Sequence, residues 1–190
     1  MTILEIRIVG DPVLRTPAAE VTTFGPDLAR LVADMTETMD AVGGAGLAAP
    51  QVGVGLRVFT YRVDGHHGHV VNPLLELGTP DDSASSEGCL SVPGLGYPLP
   101  RSGWARVTGK DLTGEPVIIE GEGLLARCLQ HETDHLNGRL YIDRLSGAEK
   151  KDALGRIRAL GYNKVAQRTR SSRAASVGSS FGAGTAGEGL

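Results

Sequence analysis

The sequence predicts an α+β fold, with mixed and antiparallel sheets packed around a central helix and a further helix near the C-terminal end. Strand-like and helical segments occur without the regular strand–helix–strand alternation that builds a parallel sheet. Short turns containing glycine and aspartate join the strand-like segments, as in antiparallel hairpins. The chain has 190 residues, 41% of them hydrophobic, which is enough for one domain with a substantial core.

Local patterns define the first predicted elements. Residues 1–9 alternate polar and apolar side chains like a strand, and residues 10–15 resemble a helical turn around Pro12. Residues 26–42 are predicted to form a helix. Pro26 suits a first helical turn, an apolar stripe recurs at three- or four-residue intervals, and two glycines follow.

Two hairpins are predicted next. The first has strands at 56–61 and 69–77 around a turn at 64–68. The second has strands at 104–110 and 115–120. In both, apolar and β-branched residues occupy the strands, while glycine and aspartate occupy the turns.

The last two predicted elements are helices at residues 123–137 and 148–160. Gly138 directly follows the first, as glycine often does at a helix end. The second is preceded by Ser146 and has Glu149 three residues later, the spacing of a capping box. Glu149 is therefore expected to bond to the start of its own helix.

The helix at 123–137 carries the pattern HExxH, with His131, Glu132 and His135. Histidines four residues apart lie on one helical face, about 6 Å apart along the axis, where they can bind one divalent metal ion. Apolar stripes earlier in the helix continue onto the faces of all three residues, so these are expected to point inward. Because unpaired polar groups are costly to bury, a metal site is favoured over two hydrogen-bonded core histidines. The opposite, wetter face is expected to hold Arg127, Gln130, Asp134 and Asn137.

The third metal ligand can be narrowed down because the chain has five histidines and two cysteines. Cys128 shares the face of the histidine pair, but about 10 Å of helix rise separates it from His135, which predicts a small core residue. Glu149 is a possible downstream ligand of the kind zinc peptidases use, although the capping box gives it another role. Cys89, on a separate strand-like segment, is the favoured ligand, in a His₂Cys site with a fourth position open.

Two alternatives remain for these side chains. His66, His67 and His69 could bind metal weakly, although a solvated turn is favoured. Cys89 and Cys128 could form a disulfide, which the absence of a secretory signal disfavours.

Three separated segments resemble the motifs of the bacterial peptide deformylases. Residues 44–51 read GAGLAAPQ, residues 87–91 read EGCLS, and residues 130–135 read QHETDH. They are similar to that family's GxGLAAPQ, EGCLS and QHExDH motifs, in the same order and at similar spacing. The resemblance covers residues 4–162 and implies removal of the N-formyl group from nascent peptides that begin with formyl-methionine, with release of formate.

The resemblance also implies roles for individual residues. Glu132 would be the acid/base residue, and the Gln51 side-chain amide with the Leu90 backbone N–H would stabilise the oxyanion. The implied metal ligands are Cys89, His131 and His135. Fe²⁺ is the expected ion, one per chain, and Ni²⁺, Co²⁺ or Zn²⁺ could occupy the same site.

Substrate contacts follow from the same resemblance. The implied substrate-binding residues are Gly44, Ala45 and Gly46 for the peptide backbone, and Leu124, Arg127, Cys128 and the His131 ring for the methionine side chain. Arg127 departs from the apolar residue expected there. Its alkyl stem could flank an apolar pocket while the guanidinium reaches water. Arg101 is expected to pair with Glu87 and steady the Cys89 strand, and Asp134 to accept a hydrogen bond near the site.

Composition limits the partners and the location. A net charge of −3 gives no electrostatic footprint for sequence-specific nucleic acid or an anionic membrane. No apolar run approaches the roughly eighteen residues needed to span a bilayer. We expect a cytoplasmic monomer whose partner is the formylated nascent peptide at the ribosome. The catalytic domain is predicted to span residues 1–166, with 167–190 a disordered tail rich in arginine, serine, glycine and alanine.

Two other functions are weighed against this one. An HExxH zinc endopeptidase would cleave unformylated internal peptide bonds and bind its metal through Glu149. A metal-binding or ribosome-associated module would have lost catalysis, which the presence of every expected catalytic residue disfavours.

Overall fold

The computed structural model describes residues 2–162, except for the side chains of residues 80–84. Within this range it confirms the α+β class, with three α-helices and two antiparallel sheets. The helices are α1 (Pro26–Ala41), α2 (Gly123–Leu136) and α3 (Gly147–Ala159). The strands are β1 (Gly46–Ala48), β2 (Val58–Val63), β3 (His66–Leu77), β4 (Pro80–Cys89), β5 (Val92–Ser102), β6 (Trp104–Lys110) and β7 (Pro116–Glu122). The predicted boundary at residue 166 and the predicted tail at 167–190 lie outside the described residues.

Five of the strands form one sheet, in the order β1-β2-β3-β6-β7, and β4 pairs with β5 in a second sheet of two strands. All of these strand pairs are antiparallel. Strand β1 therefore stands at one edge of the larger sheet. No helix in residues 2–162 combines the length and the apolar character that crossing a membrane requires.

Helix α1 forms where the sequence predicts it, with Pro26 in its first turn. Its buried stripe contains Leu28, Val32, Met35 and Met39. This stripe packs against Leu47 of β1 and Val58 of β2. Gly43 follows the helix with a φ of +65°, a conformation that glycine adopts at low cost. Helix α1 therefore supports the edge strand from one side.

The hairpin between β2 and β3 is tighter than predicted. Its turn is the pair Asp64 and Gly65, with φ values of 51° and 79°, and His66 already pairs with Val63. Two central residues with positive φ form a turn whose twist matches that of the flanking strands. The predicted turn at 64–68 is therefore too long, and the three histidines at 66, 67 and 69 lie on strand β3.

Helix α2 packs against both sheets. Leu125, Ala126 and Leu129 belong to a core cluster with Phe59 of β2 and Val107 of β6. On another side, the Gln130 amide exchanges hydrogen bonds with the backbone of Ser102 on β5 (2.9 and 3.1 Å). The helix that carries the HExxH pattern is thus enclosed on most of its circumference.

The sequence predicts a strand-like segment around Cys89, but not the full extent of strands β4 and β5. Residues 80–102 are rich in serine, glycine and proline, which are depleted in strands. The apolar residues of β5 are buried against Tyr141 and Ile142, which follow α2, and against Ile157 of α3. Packing against the C-terminal elements therefore overrides the weak local preference for a strand.

Two further expectations are wrong. Residues 2–8 form no regular strand; the Arg7 N–H donates to the Gln51 carbonyl (2.6 Å), and the Val9 N–H donates to the Ser91 carbonyl (2.7 Å). Helix α3 begins beside its predicted start with Ser146 at the N-cap position, but Ser146 makes no side-chain capping bond. The capping box is therefore not formed.

Candidate active site and metal centre

Three candidate ligands converge from two parts of the chain. Helix α2 places His131 and His135 one turn apart, and the end of β4 places Cys89 beside them. The Nε2 atoms of the two histidines lie 3.2 Å apart, and the Sγ of Cys89 lies 3.3 Å from the Nε2 of His135. All three candidate ligand atoms lie within 4.8 Å of one another.

This geometry fits a metal ion. With ligand bonds of about 2.0–2.3 Å, the ligand atoms of a tetrahedral site stand about 3.3–3.6 Å apart. The His131–His135 and Cys89–His135 distances are close to this spacing, and all three atoms lie within 4.8 Å of one another. A thiolate with two imidazoles suits several transition-metal ions. These three residues could therefore hold one ion.

The other candidate ligands lie outside this group. Cys128 is buried, and its thiol donates to the Ala45 carbonyl at 3.4 Å. Both cysteines are free, so the alternative disulfide is not formed. Glu149 is exposed on α3, although the capping box that argued against it as a ligand is absent.

The carboxylate of Glu87 orients His131. Its Oε1 lies 2.7 Å from the Nδ1 of His131. Arg101 donates two hydrogen bonds to the same carboxylate (3.0 and 2.6 Å), as predicted. Burial alone would raise the pKa of Glu87, but the hydrogen bonds from His131 and Arg101 outweigh burial and lower the pKa to about 2. An ionised Glu87 favours the proton of His131 on Nδ1, which leaves Nε2 free to face the other candidate ligands.

Asp134 extends the same network. It accepts hydrogen bonds from Arg101 (2.7 Å) and twice from Arg144 (2.6 Å each). The prediction that Asp134 and Gln130 lie on a wet face is therefore wrong, since both are buried. The reason is β5, a strand that the sequence does not predict, which covers this face of α2.

Glu132 is buried beside the candidate metal ligands. It is 3% exposed, and its Oε2 has no hydrogen-bond partner. Burial raises the pKa of Glu132 to about 7. A Cβ atom at Gly46 would lie 2.3 Å from the Oε1 of Glu132, so any side chain at position 46 would displace the carboxylate. Glycine is needed at position 46 because of this close approach.

Gln51 lies on the short 3₁₀ helix Ala49–Val52, just after β1. Its Oε1 accepts a hydrogen bond from the Ala48 N–H at 2.8 Å. The amide nitrogen is thereby turned towards the β4–β5 turn, where it donates to the hydroxyl of Ser91 (3.3 Å) and to the Sγ of Cys89 (3.7 Å). The side chain is 1% exposed, so a fixed N–H donor stands next to a candidate metal ligand.

These groups surround one cavity of about 580 Å³. The residues of its wall that the sequence singles out are Gly44, Ala45, Gly46, Gln51, Cys89, Leu90, Leu124, Arg127, Cys128, His131 and Glu132. His135 lies behind this wall, 1% exposed. The wall also contains Pro93, Gly94 and Leu95, which sequence reasoning missed. These three residues lie in a segment rich in glycine and proline, and no periodic pattern or motif there predicts a functional site.

Arg127 lies in the cavity wall with its side chain 13% exposed. Its Nη1 donates to the Oε2 of Glu87 (3.0 Å) and to the Leu99 carbonyl (2.9 Å). The prediction that Arg127 lies on a wet face is therefore wrong, because β4 and β5 cover it. Leu124, one turn away on the same helical face, is 49% exposed.

Comparison with known proteins agrees with the motifs. A sequence model described as polypeptide deformylase matches residues 3–151. The chain is 56% identical over 158 residues to the peptide deformylase of Acidothermus cellulolyticus, covering 83% of this chain and 87% of that protein. It is 52% identical over 170 residues to the peptide deformylase of Mycolicibacterium paratuberculosis, covering 80% and 86%.

Solved structures point to the same family. The crystal structure of the peptide deformylase from Thermus thermophilus superposes with a TM-score of 0.80 at 38% sequence identity. The superposition covers 86% of this chain and 99% of that one. The chain belongs to the peptide deformylase family, the metal-dependent hydrolases that remove the N-formyl group from nascent peptides.

Proposed function

We propose that the cavity binds the formyl-methionine end of a nascent polypeptide, and that the residues around it hydrolyse the formyl amide to release formate. The observation that carries this proposal is the meeting of three sequence segments at one cavity. Gln51, Cys89 and the pair of histidines on α2 are distant in sequence, and their polar atoms face the same small volume. Formyl-amide hydrolysis needs such a combination of metal ligands, fixed donor and buried acid/base group.

Cys89, His131 and His135 hold the metal ion, and Fe²⁺ is the ion we propose. When bound, such an ion acts as a Lewis acid and lowers the pKa of water. The thiolate and the two neutral imidazoles bring one negative charge to a dication. Glu87 keeps the His131 ring in the orientation that metal binding requires.

Glu132 moves the protons of the reaction. It takes a proton from the attacking water and delivers it to the departing amine nitrogen as the carbon–nitrogen bond breaks, while the water oxygen leaves in formate. Its support is geometric. The carboxylate is buried at the cavity wall, and one of its oxygens has no protein partner, so it is available to substrate and water.

Gln51 and the backbone N–H of Leu90 stabilise the negative charge that develops on the formyl oxygen. The Gln51 amide is held by the Ala48 N–H, so its donor needs no reorganisation when the charge appears. A fixed donor of this kind typically contributes about 3 kcal/mol to transition-state stability.

The substrate backbone lies along Gly44, Ala45 and Gly46. Strand β1 is an edge of the five-stranded sheet, and an edge strand can pair with an added peptide strand. The methionine side chain lies along the face of α2 that Leu124, Cys128 and the His131 ring form in the cavity wall.

The proposal also includes the setting of the reaction. The protein acts in the cytoplasm as a monomer, on nascent chains at the ribosome, where formylated N-termini emerge.

The activity itself is tested with formyl-Met-Ala-Ser and its acetylated twin, using protein purified anaerobically with Fe²⁺ or Ni²⁺. Amine release is expected from the formyl peptide alone. The reacting acyl group has to fit next to Glu132, and the formyl group is smaller than the acetyl group. Cleavage of internal bonds in unformylated peptides would instead support an endopeptidase. Absence of release from both peptides by fully metallated protein would contradict the proposal.

Glu132→Ala is expected to lower kcat by about a thousandfold, since general acid–base catalysis typically supplies 10²–10⁴. Metal content should stay near one ion per chain. The matched control is Glu149→Ala, at an exposed glutamate on α3, which should change neither quantity. Loss of metal from the Glu149 variant would favour the endopeptidase reading.

Cys89→Ser is expected to weaken metal affinity by at least about 100-fold, more than the loss of a group that only supports a ligand. The chain offers Cys128→Ser as a control, because Cys128 lies outside the ligand group. Metal analysis after dialysis should find the ion retained in the Cys128 variant and lost from the Cys89 variant. The reverse pattern would overturn the ligand assignment.

Gly46→Ala is expected to lower kcat by about 100-fold, because the new methyl group must push Glu132 aside and displacements of this size are costly. Gly55→Ala makes the same change where nothing lies within 4 Å, and full activity is expected. Metal content and thermal melting of both variants exclude loss of the site or of the fold. Wild-type kcat in Gly46→Ala would show that the Glu132 position is not critical.

A further inference from the structure

A second cavity, of about 190 Å³, adjoins the first. Gly123 at the start of α2 and Gly103 lie in its wall. Ser86, Leu124 and Arg127 line both cavities, so these three residues form the partition between them. Arg127 has the longest side chain of the three and is far more buried than Leu124.

Helix α2 provides a direction along the first cavity. His131, Cys128 and Leu124 follow one another on one helical face over about 10 Å, from the metal ligands towards the helix start. The second cavity lies at that start. A side chain that leaves the reacting centre along this face meets Arg127 about one turn from His131, before it can reach the second cavity.

The guanidinium of Arg127 is fixed in the partition. Its Nη1 is bonded to Glu87 on β4 and to the Leu99 carbonyl on β5 (3.0 and 2.9 Å). One of these bonds joins two charged groups, and charge-assisted hydrogen bonds are stronger than neutral ones. The guanidinium therefore cannot swing aside without losing a charged partner that is itself buried.

We propose that Arg127 sets the length of the first side chain that the enzyme accepts, by closing the methionine pocket before the second cavity. This inference rests on the proposed function. Leu90, Leu95 and Cys128 make the pocket apolar on the catalytic side of the partition, as an unbranched side chain of methionine length requires. Arg127, which stands where an apolar residue is expected, then forms the end wall of the pocket.

The test compares two formyl peptides whose first residues are norleucine and 2-aminooctanoic acid, each followed by Ala-Ser. Their side chains differ by two methylene groups, and each methylene buried is worth about fourfold in binding. In Arg127→Ala, the ratio of kcat/KM for the long peptide to that for the short one should rise about tenfold over the wild-type ratio. Loss of the bond to Glu87 could also disturb His131 and lower kcat for both peptides. Such a common loss would leave the ratio unchanged.

Arg127→Lys is the matched control. It keeps a long cationic side chain next to Glu87, so the pocket should stay closed and the ratio should stay within about twofold of the wild-type value. An unchanged ratio in Arg127→Ala, or an equal rise in both variants, would overturn the inference. If thermal melting finds Arg127→Ala unfolded, Arg127→Ser takes its place with the same expected rise.

Measurements on the wild-type protein test the proposed function separately. Amine release from formyl-norleucine-Ala-Ser, and none from the acetylated twin, supports deformylation whatever the ratio is. An unchanged ratio with normal wild-type deformylation would therefore reject only the role of Arg127.

Discussion

A single buried carboxylate, that of Glu87, connects the parts of the site. It accepts hydrogen bonds from His131 on α2, from Arg101 on β5 and from Arg127 on α2. Buried ion pairs add little net stability, because desolvation offsets the attraction, but removing one partner leaves an uncompensated charge that costs about 3–5 kcal/mol. The network is therefore best understood as a constraint on geometry. It holds the two-stranded sheet against α2 in the one arrangement where Cys89 meets the two histidines.

The two glutamates of the site show how environment separates otherwise identical groups. Both are buried, and burial raises the pKa of each. Hydrogen bonds from His131 and Arg101 outweigh burial at Glu87 and lower its pKa to about 2. Glu132 has no such partner for its Oε2, and its pKa is raised to about 7. Glu87 thus remains a fixed charge, while Glu132 keeps an oxygen free of the protein, because the two environments push the pKa values of the two carboxyl groups apart.

The parts of the site that the sequence predicts are those with a local signal. The histidine spacing and the apolar stripes were sufficient to find α2, and Cys128 lies outside the candidate ligand group, as the helix-rise argument predicted. The covering of α2 by β5 was not predictable, because residues 80–102 have the composition of a loop and become strands only by packing on residues after α2. The same omission explains the errors at Gln130, Asp134 and Arg127, whose surroundings come from β4 and β5. Local patterns carry no information about a sheet that depends on tertiary contacts.

The N-terminal segment shows the opposite error, in which a local pattern predicts a strand that does not form. Its alternating pattern suggested a strand, but two of its backbone donors go to two different segments, Arg7 N–H to Gln51 and Val9 N–H to Ser91. These partners belong to the two segments that carry the Gln51 amide and the Cys89 thiol. The Ser91 hydroxyl in turn accepts from the Gln51 amide, so the same two segments are joined by backbone and side-chain bonds. An extended segment without a ladder therefore connects two distant motifs, and burial along it does not follow the alternating pattern, since Arg7 is buried and Ile3 is exposed.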